Sequence, residues 1–349
     1  MTTPSTLFPA SIKAAESDSQ LAIFIAIASA ILYPLVLKRF HVAVTGAGLF
    51  GDSAGPFEAA AWLAIAFLLP LTCLAFALGR GPFALLAPAG PKSRGAALVA
   101  LTAPPLFVLV GVVSSMLHSP VPELATWVAG WALFGLGIAL ARPVARREAT
   151  IASDRLRVAH GISAALITLF VAFHLFNHLM GLMGPHAHAR VMRAGRLVYR
   201  SDLGQPVLVG LLLFQVATGL VLAWRWVRSD LTLDRLIQVG AGTYLAAFIL
   251  AHLNSALISA RLIRHIDTNW AWATSAPKGL IMSAWGIRLL PHYALGVLFV
   301  IAHLFSGLRG ILLAHRVQPM TVDRIWQGGM LLAVVASALI ACGLCGVRV

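Results

Sequence analysis

Nine long apolar stretches set the terms for this chain. They run at about 20–37, 59–78, 96–117, 121–141, 158–183, 206–226, 235–260, 291–314 and 326–346. About 18 or more consecutive apolar residues reach across the roughly 30 Å hydrocarbon layer of a bilayer as a helix. Within that layer each backbone amide needs a partner without help from water, so a helix is the form such a stretch takes. Composition agrees: 59% of the 349 residues are hydrophobic and only 11% are charged, against about a quarter charged in soluble domains. Mean hydropathy is +0.87. The expected fold class is therefore all-α, a polytopic membrane protein of about nine transmembrane helices whose first partner is the lipid bilayer.

The net charge of +14 suggests nucleic acid until its distribution is considered. Nearly all Lys and Arg lie between the apolar blocks, where membrane topology requires them, and not along one amphipathic face. A nucleic-acid partner is not expected. The bias of basic residues between alternate loops favours a cytoplasmic N-terminus in a bacterial-type inner (plasma) membrane. The first block reads as a retained span, since no small-residue cleavage site follows it. Cys342-Gly-Leu-Cys345 has CxxC spacing, but no His follows for c-type haem attachment and no second pair is present for zinc. Pro34, Pro70, Pro104 and Pro105 fall inside the first three blocks and predict kinks there.

A basic loop at 142–157, holding Arg142, Arg146, Arg147, Arg155 and Arg157, marks a change of character. The four blocks before it contain no His; the five after it contain every His found within a span. The chain is expected to divide near residue 150, into a four-helix unit (1–150) and a five-helix haem-type bundle (151–349).

Ionisable side chains within a bilayer are costly and point to function by default. On the fifth block, His160, His174 and His178 lie within about 40° of one another on a single helical face. His252 lies on the seventh block, and His292 and His303 on the eighth. Helices five and seven must run in the same direction. His174 follows Arg157 by 17 residues and His252 follows Arg235 by 17, so both sit about 25 Å from the same membrane face. Two imidazoles at one depth on neighbouring helices suit the axial positions of one haem b. His174 and His252 are thus the expected iron ligands, with His178, about 6 Å deeper, in reserve. A second bis-histidine site is not expected. The residue at matching depth to His303 on helix six is Gln215, and the position fourteen before His252 is Gln238.

Around these histidines the second half resembles the membrane-anchor cytochrome b of succinate dehydrogenases and fumarate reductases, over roughly residues 152–346. The motifs are Arg157-xx-His160-xx-Ser163, the run Phe173-His174-Leu175-Phe176-Asn177-His178, Ala251-His252-Leu253 and Ala302-His303-Leu304-Phe305-Ser306-Gly307. Tyr199-Arg200 also fits bacterial relatives of that anchor. The resemblance implies an electron-transfer subunit that exchanges electrons with a quinone or a redox partner subunit. It also implies His303 as half of a further ligand pair, and a quinone pocket near His160 and Ser163. The Arg that usually follows the opening His is Gly161 here, and the first four helices have no counterpart in the family.

No Gly-rich dinucleotide loop is present, and three Cys are too few for an iron–sulfur cluster. The chain is then at most the membrane subunit of an oxidoreductase, with no catalytic residue of its own assigned. The loop after helix five holds His186, His188, Arg190, Arg193, Arg196 and Arg200; the loop after helix seven adds Arg261, Arg264 and His265. Of these, Arg200, Arg261 and Arg264 are the expected partners of haem propionates, since guanidinium suits bidentate contact with carboxylates. His178 and His292, with His186 or His188, form a further candidate metal or quinone site near that face. Two other readings stand beside the cytochrome: a transporter or channel, and a haem-free scaffold derived from a cytochrome. Coupled transporters usually bury carboxylates in their spans, whereas the acids here (Glu58, Glu123, Asp154, Asp202, Asp234, Asp267) fall at block ends or in loops.

Overall fold

The computed structural model describes residues 20–46, 55–78, 90–142, 144, 154–229 and 231–349, and every regular element among them is helical. The first group comprises α1 (Gln20–Val44), α2 (Gly55–Leu78), α3 (Pro91–Ala100), α4 (Ala103–Met116) and α5 (Glu123–Leu140). The second comprises α6 (Asp154–Leu179), α7 (Pro185–Tyr199), α8 (Gly204–Val227), α9 (Leu233–Leu253), the short α10 (Trp270–Ala273) and α11 (Gly279–Met282), then α12 (Leu289–Ala314) and α13 (Pro319–Leu344). Eight of the described helical spans are long and apolar enough to cross a bilayer.

The ninth expected span is broken. α3 and α4 pass the same test together but meet at an angle of 56°. Pro104 and Pro105 explain the break: neither has an N–H to give to the preceding turn, and their rings crowd it. The chain restarts α4 with them in its first turn, where the missing donors cost nothing. Pro34 and Pro70, by contrast, lie inside helices that continue past them.

The expected boundary near residue 150, with Arg146 and Arg147, lies outside the described residues. The two groups of helices on either side of it share one core. Tyr33 of α1, Phe107 of α4 and Trp127 of α5 are buried with Leu236 and Tyr244 of α9 and Phe299 of α12. Trp127 donates its indole N–H to the carbonyl of Ala30 at 2.9 Å. Buried Arg94 on α3 bonds the carbonyls of Ala77 (3.2 Å) and Val227 (3.0 Å). A cation is favourable there, because it meets carbonyls left open at the C-terminal ends of α2 and α8. Arg288, just before α12, pairs with Glu123 at the start of α5 and lies over the Phe107 ring at 4.4 Å.

The segment after α6, read from sequence as a loop, is mostly helix. Gly184 has φ +100°, a backbone conformation open to glycine and strained for other residues. It turns the chain after the 3-10 turn at Met180–Met183, and Pro185 opens α7 at the first helical position. Sequence hydropathy hid this helix because five of its residues are Arg or His; its buried side is only Ala187, His188, Met192 and Gly195. At the same end, α9 runs on into a π-helix at Asn254–Ile263, a form concentrated at functional sites.

Candidate functional site

A cavity of about 420 Å³ opens between α6, α8, α9 and α12, within the range of small-molecule and cofactor sites. Its walls are mainly Leu, Val, Ala and Phe, and its polar lining comprises His, Arg, Gln, Thr, Asn and Tyr with no carboxylate among the described residues. His160, His174, His178, His252 and His303 all reach it, joined by His188 of α7. The common face inferred for the three α6 histidines is therefore the face that lines this space.

The rings of His174 and His252, matched in depth from the sequence, stand 6.1 Å apart between centroids with planes at 72°. Two imidazoles each about 2 Å from a metal on opposite sides would have centroids about 6 Å apart. Each ring lies on an aromatic side chain one helical turn earlier: His174 on Phe170 (5.4 Å, 20°) and His252 on Phe248 (5.6 Å, 8°). This i, i+4 aromatic–histidine pattern was legible in both helices and is an additional signal for the pair. Gly296 of α12 permits it, since a Cβ there would lie 2.4 Å from the Phe248 ring.

His178 is closely engaged with His174. Their Nε2 atoms lie 3.3 Å apart, so ligation of a metal by His174 requires its ring to turn away from that contact. Beyond His178 lies His188, 5.6 Å away between ring centroids. His188 accepts from Asn177 Nδ2 at 3.2 Å and rests 4.6 Å from the Trp270 ring. Asn177 Oδ1, His178 Nδ1 and His188 Nδ1 are buried without a hydrogen-bond partner among the described residues. Burial, reinforced by the Arg196 charge, pulls the His188 pKa down to about 4. His186, two residues earlier, is exposed. His292 is buried but does not line the cavity; its ring lies against Phe248 (4.5 Å) and Tyr293 (5.2 Å). No group of three or more His, Cys, Asp or Glu able to hold a metal ion occurs among the described residues.

No family model, characterised protein or solved structure matches this chain. The chemistry has to be read from the cavity itself.

At the His174–His252 end, Arg200 and Arg261 line the cavity. Arg261 donates to Gln205 Oε1 at 2.8 Å and Arg200 to Thr268 Oγ1 at 2.7 Å. Arg196 and Arg200 also face Asp267, at 2.9 and 3.5 Å. Burial alone would raise the Asp267 pKa, but these two guanidiniums outweigh it and hold the carboxyl below its usual value. Arg264 points elsewhere, donating to Ser115 Oγ of α4 at 2.7 Å. It does not line the cavity; the π-helix between His252 and Arg264 shifts the facing of residues that an α-helical count would have grouped. Arg190 and Arg193 are exposed on α7.

At the other end the two glutamines have specific tasks. Gln215 Nε2 donates to the carbonyl of His160 at 2.7 Å and to Ser163 Oγ at 2.6 Å. Ser163 in turn bonds the carbonyls of Ala159 and His160 at 3.0 and 3.1 Å, so its hydroxyl is engaged within this network. Gln238 offers its backbone carbonyl to His303 Nδ1 at 2.9 Å. Opposite His303 stands His160, with centroids 6.3 Å apart and planes at 84°.

Proposed function

We propose that this chain is a membrane-embedded b-type cytochrome, an electron-transfer protein of the bilayer that holds a haem between His174 and His252 and exchanges electrons with a quinone or a redox partner subunit. The observation that carries this reading is the pair of imidazoles on separate spans with centroids 6.1 Å apart, inside an apolar cavity. A bound haem would supply one-electron chemistry. His174 and His252 would ligate it once His174 turns from His178, Phe170 and Phe248 hold the ring planes, and the apolar walls exclude water. Arg200 and Arg261 offer charge to the propionates at a depth where a buried carboxylate needs a cation. The motif resemblance to the cytochrome b anchors of succinate dehydrogenases and fumarate reductases supports the same reading, and quinone is the membrane-soluble electron carrier that it suggests.

A cavity with no carboxylate among the described residues that line it gives ion-coupled transport little to work with, since such transport relies on intramembrane acids. The absorbance of the purified protein tests the proposal. A b-type spectrum on reduction, diminished in His252→Ala, is the expected result. A folded, colourless protein from cells supplied with haem overturns it.

A further inference from the structure

We propose that α7 lies in the headgroup layer of the membrane, where Arg190 and Arg193 bind the phosphate of an anionic phospholipid. The partner is the bilayer around the chain, and the argument is independent of the haem reading.

Depth places the helix. α8 starts at Gly204 and reaches Trp224, an exposed ring of the kind that marks a membrane interface. The twenty residues between them rise about 30 Å, the thickness of the hydrocarbon layer, so Gly204 lies at its other edge. Gln215 of α8 meets Ser163 of α6, and Thr218 meets His160, which sets the two helices antiparallel. Eleven residues on from Ser163, near Phe173 and His174, α6 therefore reaches the same edge. α7 meets α6 in descending order. His188 lies beside Asn177 and His178, Gly195 is so close to the Phe173 ring that a Cβ would be 2.2 Å from it, and Tyr199 lies 5.6 Å from Phe170. The helix thus begins beyond the hydrocarbon edge and runs down to it.

Its outward side chains change along the same direction. His186, Arg190, Arg193 and Leu197 lie within about 60° of one another on the helix, and all four are exposed. The cations occupy the outer part. At the inner end Leu197 and Val198 are 80% and 72% exposed, which suits acyl chains and not water. Neither Arg190 nor Arg193 has an ion pair among the described residues, and the nearby carboxylate of Asp267 is held by Arg196 and Arg200. Two guanidiniums about one turn apart can close on one phosphate through paired hydrogen bonds. Leu197 lies about 6 Å along the helix from Arg193, within the 5–10 Å by which an interfacial helix sinks its apolar part. A soluble acidic partner would meet the cations and leave Leu197 and Val198 bare; a lipid covers both. The opposite side of α7 carries His188 and Met192 into the wall of the cavity, so the lipid holds in place a helix that closes this end of it.

Hydrogen exchange in two bilayers tests the proposal. Full-length protein is placed in nanodiscs of phosphatidylcholine alone, or of equal parts phosphatidylcholine and phosphatidylglycerol. Exchange across residues 185–199 should be slower with phosphatidylglycerol, by up to about thirtyfold, the weight of two arginines near an anionic surface. In the Arg190→Gln, Arg193→Gln double variant that difference should vanish, with exchange across α9 and α12 unchanged as the sign of an intact fold. Arg225→Gln with Arg324→Gln, which alters two exposed arginines at the opposite face, should keep it. Equal exchange in the two bilayers for the unaltered protein overturns the proposal, as does a difference that survives in the Arg190, Arg193 variant. Loss of the difference in the opposite-face variant would assign it to net charge and overturn the site. Slowing by inorganic phosphate in phosphatidylcholine alone, to the same extent, would make the ligand a free anion and overturn the lipid.

Discussion

The two ends of the cavity treat their histidines in opposite ways. At the His160–His303 end each Nδ1 is held by an acceptor on another helix, Thr218 Oγ1 or the Gln238 carbonyl, and each ring lies over a glycine. At the His174–His252 end the rings are held by stacking on Phe170 and Phe248, while a third imidazole, His178, occupies His174 Nε2. The first arrangement is directional and sets a tautomer. The second fixes ring planes, and its Nε2–Nε2 contact between His174 and His178 is satisfied with the proton on either ring. One end is thus a directional pair, and the other a stacked pair with a further imidazole one turn away.

The largest effect that can break this contrast is the response to losing one ligand. His174→Ala should retain haem at its end, with an altered spectrum as His178 moves onto the iron, whereas His174→Ala combined with His178→Ala should lose it. His303→Ala, at the other end, should leave haem content unchanged. Pyridine haemochrome analysis of the three variants decides the point. Equal loss in His174→Ala and in the double variant would show that His178 is no reserve ligand.

Glycine substitutions give the next largest effect. Gly242→Ala drives a methyl against the His303 ring itself, whereas Gly296→Ala meets Phe248, which lies between it and His252. Overpacking of this kind costs about 1–3 kcal/mol. Gly242→Ala is expected to lower thermal stability with the haem spectrum unchanged. Gly296→Ala should lower it too and also shift that spectrum, because Phe248 carries the displacement to His252. The reverse pattern would mean that stacking on Phe248 does not set the position of His252.

The glutamines tie this contrast to what the sequence could and could not say. Counting depth along parallel helices brought His174 and His252 together, because helix direction and rise are set by the bilayer and by backbone geometry. The same count put Gln215 opposite His303 and Gln238 fourteen residues before His252, and so gave no second pair. Depth counting reports level, not azimuth. α12 packs on α9 and α13 and stands across the cavity from α6, and there His303 comes within reach of His160. Nor does a residue's name reveal that its backbone carbonyl, not its side chain, is the group in use at Gln238. α7 was hidden for a related reason: its four buried positions carry too little hydropathy to be seen among the arginines. Eight spanning helices among the described residues were nearly explicit in the apolar blocks, whereas the 56° break in the ninth block, between α3 and α4, needed coordinates, although Pro104 and Pro105 marked its position.

A smaller effect is expected at Gln215. Its amide spans from α8 to the His160 carbonyl and Ser163 Oγ, so Gln215→Ala removes two hydrogen bonds without touching a ring nitrogen. The stability cost should be about 1–2 kcal/mol, read as a lower denaturation midpoint in detergent, with haem content unchanged. Loss of haem in this variant would mean that the tie from α8 to α6 at Gln215 also positions His174 further along α6.

The smallest effect expected near neutral pH comes from His188, at the outer edge of the stacked end. The unfolded chain binds this proton near the ordinary value of 6.5, while the folded protein resists it until about pH 4. Between those limits the unfolded state holds more protons, so stability rises with pH; the contribution is complete above about 6.5 and is lost progressively toward 4. From pH 8 to pH 6 the loss is below about 1 kcal/mol. It should show locally, because a charged His188 would sit among Asn177, His178, Trp270 and Arg196, which offer it no carboxylate. Hydrogen exchange across residues 185–199 should therefore quicken from pH 6.5 down to 4.5, after correction for the intrinsic rate, and His188→Gln should abolish that acid limb. An identical limb in the glutamine variant would assign the sensitivity to another group.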